Sequence, residues 1–275
     1  MRRARASLAG VLALALIFAA AGARASPRVM SLDQCADQYV LALAPRAAIV
    51  GLSPRAGARD SFLKAASVGL PRRRASSEAV LAAGPQLVVR YWGGDQRLDA
   101  LLAQRRIAVV KIEEASDFDG VRANIRRVAG ALDAAPRGEA LIARMDARLA
   151  AARGAWGGRS ALYLTPSGFT AGPGTLIAAI LGGAGLRDAA VRPGYQAVSL
   201  ERLAIAPPSA LVLGFFDAFG VAEQQWGPGR HGLLQAMARR RAIATLPASE
   251  LGCPAWFAAD AVQTLAQTRA TARRP

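Results

Sequence analysis

The sequence predicts an α/β protein of two lobes, each a parallel sheet covered by helices, joined by a helical spine. Three observations predict it. Short apolar runs alternate with segments of helical period from Arg28 to Ile112, and again from Ser160 onward. Between Asp117 and Gly154 the strand signal disappears. One motif occurs twice: "SSEAVLAAGPQLVV", beginning at Ser76, returns as "SLERLAIAPPSALVL", beginning at Ser199. In each copy a Ser stands two residues before a Glu and a Pro follows that Glu seven residues later; Glu78 and Glu201 are 123 positions apart.

In the first lobe "RVMSL" reads as a strand, followed by "DQCADQYVLAL", where Tyr39, Val40 and Leu43 fall at helical spacing. "AIVGLS" is the next strand. Helix "SSEAVLAAG" leads to strand "QLVVRYW", and helix "DQRLDALLAQRR" leads to strand "IAVVKI". Short apolar strands alternating with helices argue for parallel pairing, with right-handed crossovers. In the spine, Val121, Ile125, Val128 and Leu132 form one apolar face, with Asp117 or Asp119 able to cap its start. Pro136 ends that helix and can open the next, where Leu141, Met145 and Leu149 continue on one face. A helix of about 18 residues spans about 27 Å, enough to bridge two lobes. Alternation then restarts: strand "SALYL", helix "GTLIAAILGGAG", helix "SLERLAIAP", strand "SALVLGFF", helix "HGLLQAMARR", strand "RAIATLP", and a last helix from Pro254 to about Arg269. The expected division is 1–25 as a leader, 26–118 as the N-terminal lobe, 119–154 as the spine and 155–275 as the C-terminal lobe.

The leader reading comes from "MRRARASLAGVLALALIFAAAGARAS". Arg2, Arg3 and Arg5 precede an apolar stretch from Leu8 to Ala21, and Ala23-Arg24-Ala25 is a small-x-small cleavage site. The stretch is short for a transmembrane anchor, and no Cys follows the cleavage site to take a lipid. Export with cleavage after Ala25 is expected.

With 53% apolar residues among 275, a sizeable core is expected and disorder is not. The formal charge is +16, and the leader holds four Arg and no acid, leaving about +12 on the rest. Only Lys64 and Lys111 of the 35 basic residues are lysine, a bias that reads as coding composition. No Arg run is interleaved with aromatics, so nucleic-acid binding is not expected. The two cysteines, Cys35 and Cys253, permit one disulfide in an oxidising compartment, or two separately buried thiols.

Ligands of open parallel sheets bind beyond the carboxyl ends of the strands. The residues that follow strands are therefore the candidate ligand contacts: Asp33, Gln34, Ser53, Arg55, Tyr91 and Trp92 in the first lobe, and Ser167, Phe169, Phe215, Phe216, Asp217, Trp256 and Phe257 in the second. Aromatics are only 6% of the chain yet gather at these ends, which suits a flat or bulky apolar ligand; the bland alternative is ordinary core at the sheet edges. Arg55, Arg90 and Arg97 are the basic residues expected near such a cleft. His231 is the only histidine and stands in a Gly-rich stretch, so neither a side-chain metal site nor a Ser-His-Asp triad is expected. No G-x-S-x-G elbow or Walker A motif occurs. "AGPGTLIAA" places two glycines before a helix, where a tight turn competes with an anion-binding reading. Glu78 and Glu201 each open a short helix. The bland reading is first-turn electrostatics; the functional one is two equivalent acids offered to a two-fold partner, whose arginines can pair with them.

These features together resemble the class III periplasmic substrate-binding proteins of ABC importers, the helical-backbone receptors for ferric siderophores, haem and cobalamin. "RVMSL", "AIVGLS", the doubled Glu–Pro motif and the spine carry the resemblance, which covers nearly all of the chain after the leader. It implies two Rossmann-like lobes joined by one long helix, with the ligand in the cleft between them. It also implies that Glu78 and Glu201 are docking acids for arginines on a permease dimer. Gln86 and Ser209 depart from the pattern, since the family often has Asp after the Pro. The function expected is capture of an iron chelate, siderophore or haem, by a monomeric receptor without cofactor or catalysis. Cobalamin is the alternative chelate, and an exported enzyme on a similar two-lobed fold is the alternative of a different class.

Overall fold

The structure is a computed structural model that describes residues 26–217 and 231–272. The expected leader, 1–25, lies outside the described residues.

Strand β1 (Val29–Ser31) starts the N-terminal lobe, followed by helix α1 (Gln34–Leu43) and β2 (Ile49–Gly51). Helix α2 (Ser77–Ala83) leads to β3 (Leu87–Tyr91), and α3 (Gln96–Gln104) leads to β4 (Ala108–Ile112). The order is β2-β1-β3-β4, with every pair parallel. One face of this sheet packs under α2 and α3 through Met30, Val80, Val88, Leu98 and Leu102. The other face joins the main core through Val29, Leu87 and Val89. Neighbouring strand residues thus feed different layers, as the two-residue side-chain period requires.

The spine is two helices, α4 (Phe118–Ala131) and α5 (Ala135–Ala152). Asp117 caps α4, its Oδ1 accepting from Gly120 N at 2.8 Å. Pro136 sits in the first turn of α5. Val121, Ile125 and Val128 of α4 and Leu141 and Met145 of α5 are buried. A Cβ at Gly138 would stand 2.6 Å from that of Ala129, so glycine is what lets these helices approach. Arg122 bridges to Asp146 at 2.6 Å and Arg126 to Glu139 at 2.8 Å, tying the outer edges of the pair.

The C-terminal lobe repeats the first plan. Its strands are β5 (Ser160–Leu164), β7 (Arg187–Asp188), β9 (Leu211–Gly214) and β10 (Ala242–Leu246). They pair in the order β10-β9-β5-β7, again all parallel. The helices are α6 (Leu176–Gly183), α7 (Leu200–Ile205), α8 (Gly232–Arg241), the short α9 (Ala248–Leu251) and α10 (Ala258–Ala272). Strand β7 and helix α9 lie outside the sequence expectation, as do two further features. An antiparallel ribbon of β6 (Phe169–Ala171) and β8 (Tyr195–Ala197) stands beside the sheet. The last helix begins at Ala258, not Pro254, because residues 254–257 are spent on contacts with the first lobe.

The doubled motif occupies equivalent places. α2 leads into β3 and α7 into β9, each an interior strand of its sheet. Ser76 caps the first helix by accepting from Ala79 N at 3.3 Å, and Ser199 caps the second by accepting from Arg202 N at 3.1 Å. The two departures from the family pattern are also equivalent. Gln86 Oε1 accepts from Arg28 N at 2.9 Å, and Ser209 Oγ donates to Ser160 O at 2.6 Å, each fastening its strand to the neighbour.

One apolar core runs from the first lobe, through the spine, into the second. α10 closes it: Arg148 of α5 pairs with Asp260 at 2.8 Å, and Trp156 Nε1 donates to Leu265 O at 2.8 Å.

Candidate functional site: a cleft between the lobes

The lobes meet where α1 faces the segment after α9. Cys35 and Cys253 form a disulfide, so of the two readings open to the sequence the bridged one is found. Beside it Tyr39 Oη donates to Pro254 O at 2.6 Å, and the Tyr39 and Trp256 rings meet edge to face at 5.5 Å. Phe62 stacks on Phe257 at 4.4 Å. Trp256 and Phe257 are 5% and 1% exposed. They are therefore inter-lobe core and not ligand contacts, which corrects the sequence expectation. A loop after a strand lies at the carboxyl edge, but here that edge is filled by the other lobe.

Next to this junction a cavity of about 420 Å³ opens between the lobes. The first lobe contributes Gln34, Asp60, Tyr91 and Glu114, and the second contributes Leu176, Ile177, Tyr195, Phe215 and the stretch Leu251–Pro254. Gln34, Tyr91 and Phe215 were expected there. Arg55 and Trp92 reach it through others. Arg55 donates to Gln34 Oε1 and pairs with Asp60, each at 2.7 Å, and Trp92 Nε1 donates to Glu114 Oε2 at 2.9 Å. Asp33 supports the wall from behind: one carboxylate oxygen caps α1 at Ala36 N and the other accepts from Tyr91 N at 2.7 Å.

Several expected contacts do not line this cavity. Ser53 is buried, its N–H and hydroxyl both donating to Asp37, at 2.8 and 2.5 Å. Ser167 is exposed in the turn before β6, and Phe169 and Phe216 are 47% and 38% exposed outside the lining. Asp217 accepts from Ala248 N at 2.9 Å, holding the start of α9. Arg90 is also corrected. Strand alternation turns it opposite to Tyr91, and it is buried against Asp99 at 2.5 Å on α3. Arg97 is exposed on α3. The glycines of "AGPG" make a tight turn, closed by Thr175 Oγ1 donating to Gly172 O at 2.8 Å, and Thr175 caps α6.

Among the lining residues that sequence reasoning missed are Asp60, Leu176, Ile177, Glu114 and Tyr195. Glu114 stands two residues past the end of β4, the same strand-end signal that picked Tyr91. Tyr195 sits on a three-residue strand, too short for a periodic pattern.

The cavity's polar groups converge on one carboxylate. Tyr91 Oη and Trp92 Nε1 both donate to Glu114 Oε2. Burial first, then the bond to Glu114, pushes the Tyr91 phenol well above its usual range. Tyr195 stands on the cavity's open side, and its phenol is raised by partial desolvation and then by the same carboxylate. Below the cavity, Asp37 accepts from Ser31 and Ser53, yet burial outweighs these bonds and pushes it up to about 6.

At the rim, Glu78 and Glu201 are both exposed, each two residues past a capping Ser. Each carboxyl is held below its usual range, first by its own backbone N–H and then by the capping Ser. In a right-handed crossover a helix runs antiparallel to its following strand, so both helix starts fall at the carboxyl edges of their sheets, the side on which the cleft opens.

Two parallel-sheet lobes on a helical spine, with an aromatic and carboxylate-lined cavity between them, define a two-lobed ligand-binding protein. A family model described as "Periplasmic binding protein" matches residues 29–250, and the chain belongs to that family. The class expected from the sequence, the helical-backbone substrate-binding proteins, is the one found.

Solved structures agree. The periplasmic heme-binding protein BhuT in complex with two hemes is 28% identical, with a TM-score of 0.68 over 90% of this chain and 99% of that one. The periplasmic heme-binding protein RhuT from Roseiflexus sp. RS-1 is 25% identical, with a TM-score of 0.71 over 90% of this chain and 100% of that one. The periplasmic vitamin B12 binding protein BtuF of Vibrio cholerae, 17% identical with a TM-score of 0.59 over 91% and 99% of the two chains, shares the fold. No curated protein matches the sequence.

Proposed function

We propose that this chain is exported, is cut after Ala25, and serves in the periplasm as the substrate-binding protein of an ABC importer for an iron chelate, with haem the first choice. One observation carries the reading: the cavity presents a phenol from each lobe, Tyr91 and Tyr195, with Glu114 between them in charge terms. Phenolate oxygen is a known protein ligand of haem iron. A ferric centre would invert the local pKa logic, taking the place of the phenol proton whose hydrogen bond Glu114 now accepts. Leu176, Ile177 and Phe215 supply the apolar wall a flat macrocycle needs. The relatives at 28% and 25% identity described above are heme-binding proteins by name.

A ferric siderophore is the second reading, favoured by Arg55 at the rim, 62% exposed and suited to an anionic chelate. Cobalamin is the third reading. Delivery would use Glu78 and Glu201 as paired contacts for arginines of the permease dimer, with the receptor acting as a monomer and without chemistry of its own.

Equilibrium dialysis of the protein against ferric haem, a ferric hydroxamate and cobalamin, side by side, tests the reading. Saturable binding of haem or the hydroxamate at one strong site is expected. Retention of cobalamin alone would move the reading to the vitamin, and turnover of a hydrolase substrate panel with no chelate retained would end it.

A further inference from the structure

The β6–β8 ribbon has two faces. Cross-strand partners share a face, so Tyr195, paired with Ala171, stands on one side and Thr170, paired with Gln196, on the other. Tyr195 faces the inter-lobe cavity. Thr170 and Gln196 face a separate cavity of about 300 Å³, enclosed by this ribbon, the stretch 189–192 and helix α7.

This second cavity has a definite chemistry. Leu162, Val198 and Leu203 give it an apolar body. Thr170 is only 5% exposed, and its Oγ1 has no hydrogen-bond partner. A buried hydroxyl without a partner is costly, and an acceptor placed in the cavity would satisfy it. Arg192 and Arg202 stand exposed at the lining's outer edge, and the lining holds no Asp or Glu. Arg192 Nε is used by Gln196 Oε1 at 2.7 Å, but neither guanidinium has a carboxylate within ion-pair distance among the described residues. The acids nearest in sequence are otherwise engaged: Asp188 Oδ1 accepts from Ala190 N at 2.9 Å, and Glu201 Oε2 accepts from Ser199 Oγ at 3.0 Å.

We propose that this cavity is a second ligand site, distinct from the inter-lobe cleft, for a short oxo-carboxylate. Its carboxylate pairs with Arg202 and Arg192 at the mouth. Its short chain lies on Leu162 and Leu203. Its far carbonyl oxygen accepts from Thr170 Oγ1. The volume, at the lower end of small-molecule cavities, leaves room for a short chain between the mouth and Thr170. An occupant would bear on the back of the ribbon whose front carries Tyr195, and on the helix that carries Glu201.

Amide-detected NMR titration of the protein with 4-oxopentanoate, pentanoate and 2-pentanone tests this. Saturable shifts at Thr170, Gln196 and Ser199 are expected. The oxo-acid should bind about tenfold more tightly than either analogue, the scale of one hydrogen bond or one ion pair. Thr170→Val should erase the difference between oxo-acid and pentanoate. Arg202→Ala should erase most of the difference between oxo-acid and ketone; because Arg202 is exposed, this variant carries the test if Thr170→Val fails to fold. Shifts absent from these amides, or a ranking indifferent to both variants, would overturn the proposal. No chelate enters the experiment, so the result stands apart from the function proposed for the cleft.

Discussion

Tyr39 Oη lies 2.6 Å from the carbonyl oxygen of Pro254, joining the first helix of one lobe to the loop that opens the other lobe's last helix. The bond sits beside the Cys35–Cys253 disulfide and the stacked Phe62 and Phe257 rings. The lobes are therefore covalently and apolarly fastened along one side of the cleft, and any opening has to pivot about this seam.

The disulfide should contribute strongly to stability. It spans 218 positions, for which the chain-entropy relation gives about 5 kcal/mol as a ceiling. Cys35→Ala with Cys253→Ala should lower the urea midpoint, by a loss of unfolding free energy within that ceiling and well above about 1 kcal/mol. An unchanged midpoint would contradict it, as would two free thiols found by mass spectrometry of non-reduced peptides.

The paired rim acids should separate binding from delivery. Glu78→Ala with Glu201→Ala should leave chelate affinity within about twofold, since neither residue lines the cavity, and weaken uptake about tenfold or more. Each single variant should fall between the double variant and the native chain. Uptake equal to the native rate in the double variant would remove the docking role.

Asp37 should make stability fall as pH rises. Its folded pKa of about 6 lies above its ordinary value of 3.8, so folding favours the protonated form. The stabilisation is complete below about pH 4 and is lost as pH rises through 6. A shift of this size corresponds to about 3 kcal/mol at most. Urea midpoints of the native chain and Asp37→Asn, measured from pH 4 to 7.5, should diverge in that window, the native chain losing ground. Parallel profiles would contradict the burial argument.

Much of the fold was legible because its signals are local. The Asp117 cap, Pro136 in the first turn of the next helix, and the doubled Ser-x-Glu motif each act within a few residues, and each is found in place. The strand-end rule picked Gln34, Tyr91 and Phe215, which line the inter-lobe cavity, because it depends only on sheet polarity. It failed at Trp256 and Phe257, where the edge is covered by Tyr39 and Phe62 from a distant part of the chain. It also failed at Ser53, whose hydroxyl is taken by Asp37, and at Arg90, which the pleat turns toward Asp99. Tyr195 escaped notice because a ribbon of three-residue strands is fixed by cross-strand pairing, which no local pattern records.

The central claim is that the cavity between Tyr91 and Tyr195 receives an iron chelate, and visible absorbance during titration with ferric haem tests it most directly. The native chain should show a saturable red-region band from phenolate bound to ferric iron, and Tyr91→Phe with Tyr195→Phe should lose that band and weaken affinity about tenfold or more. Identical spectra and affinities for the native and double-variant chains would place the haem, if bound at all, elsewhere and contradict the account.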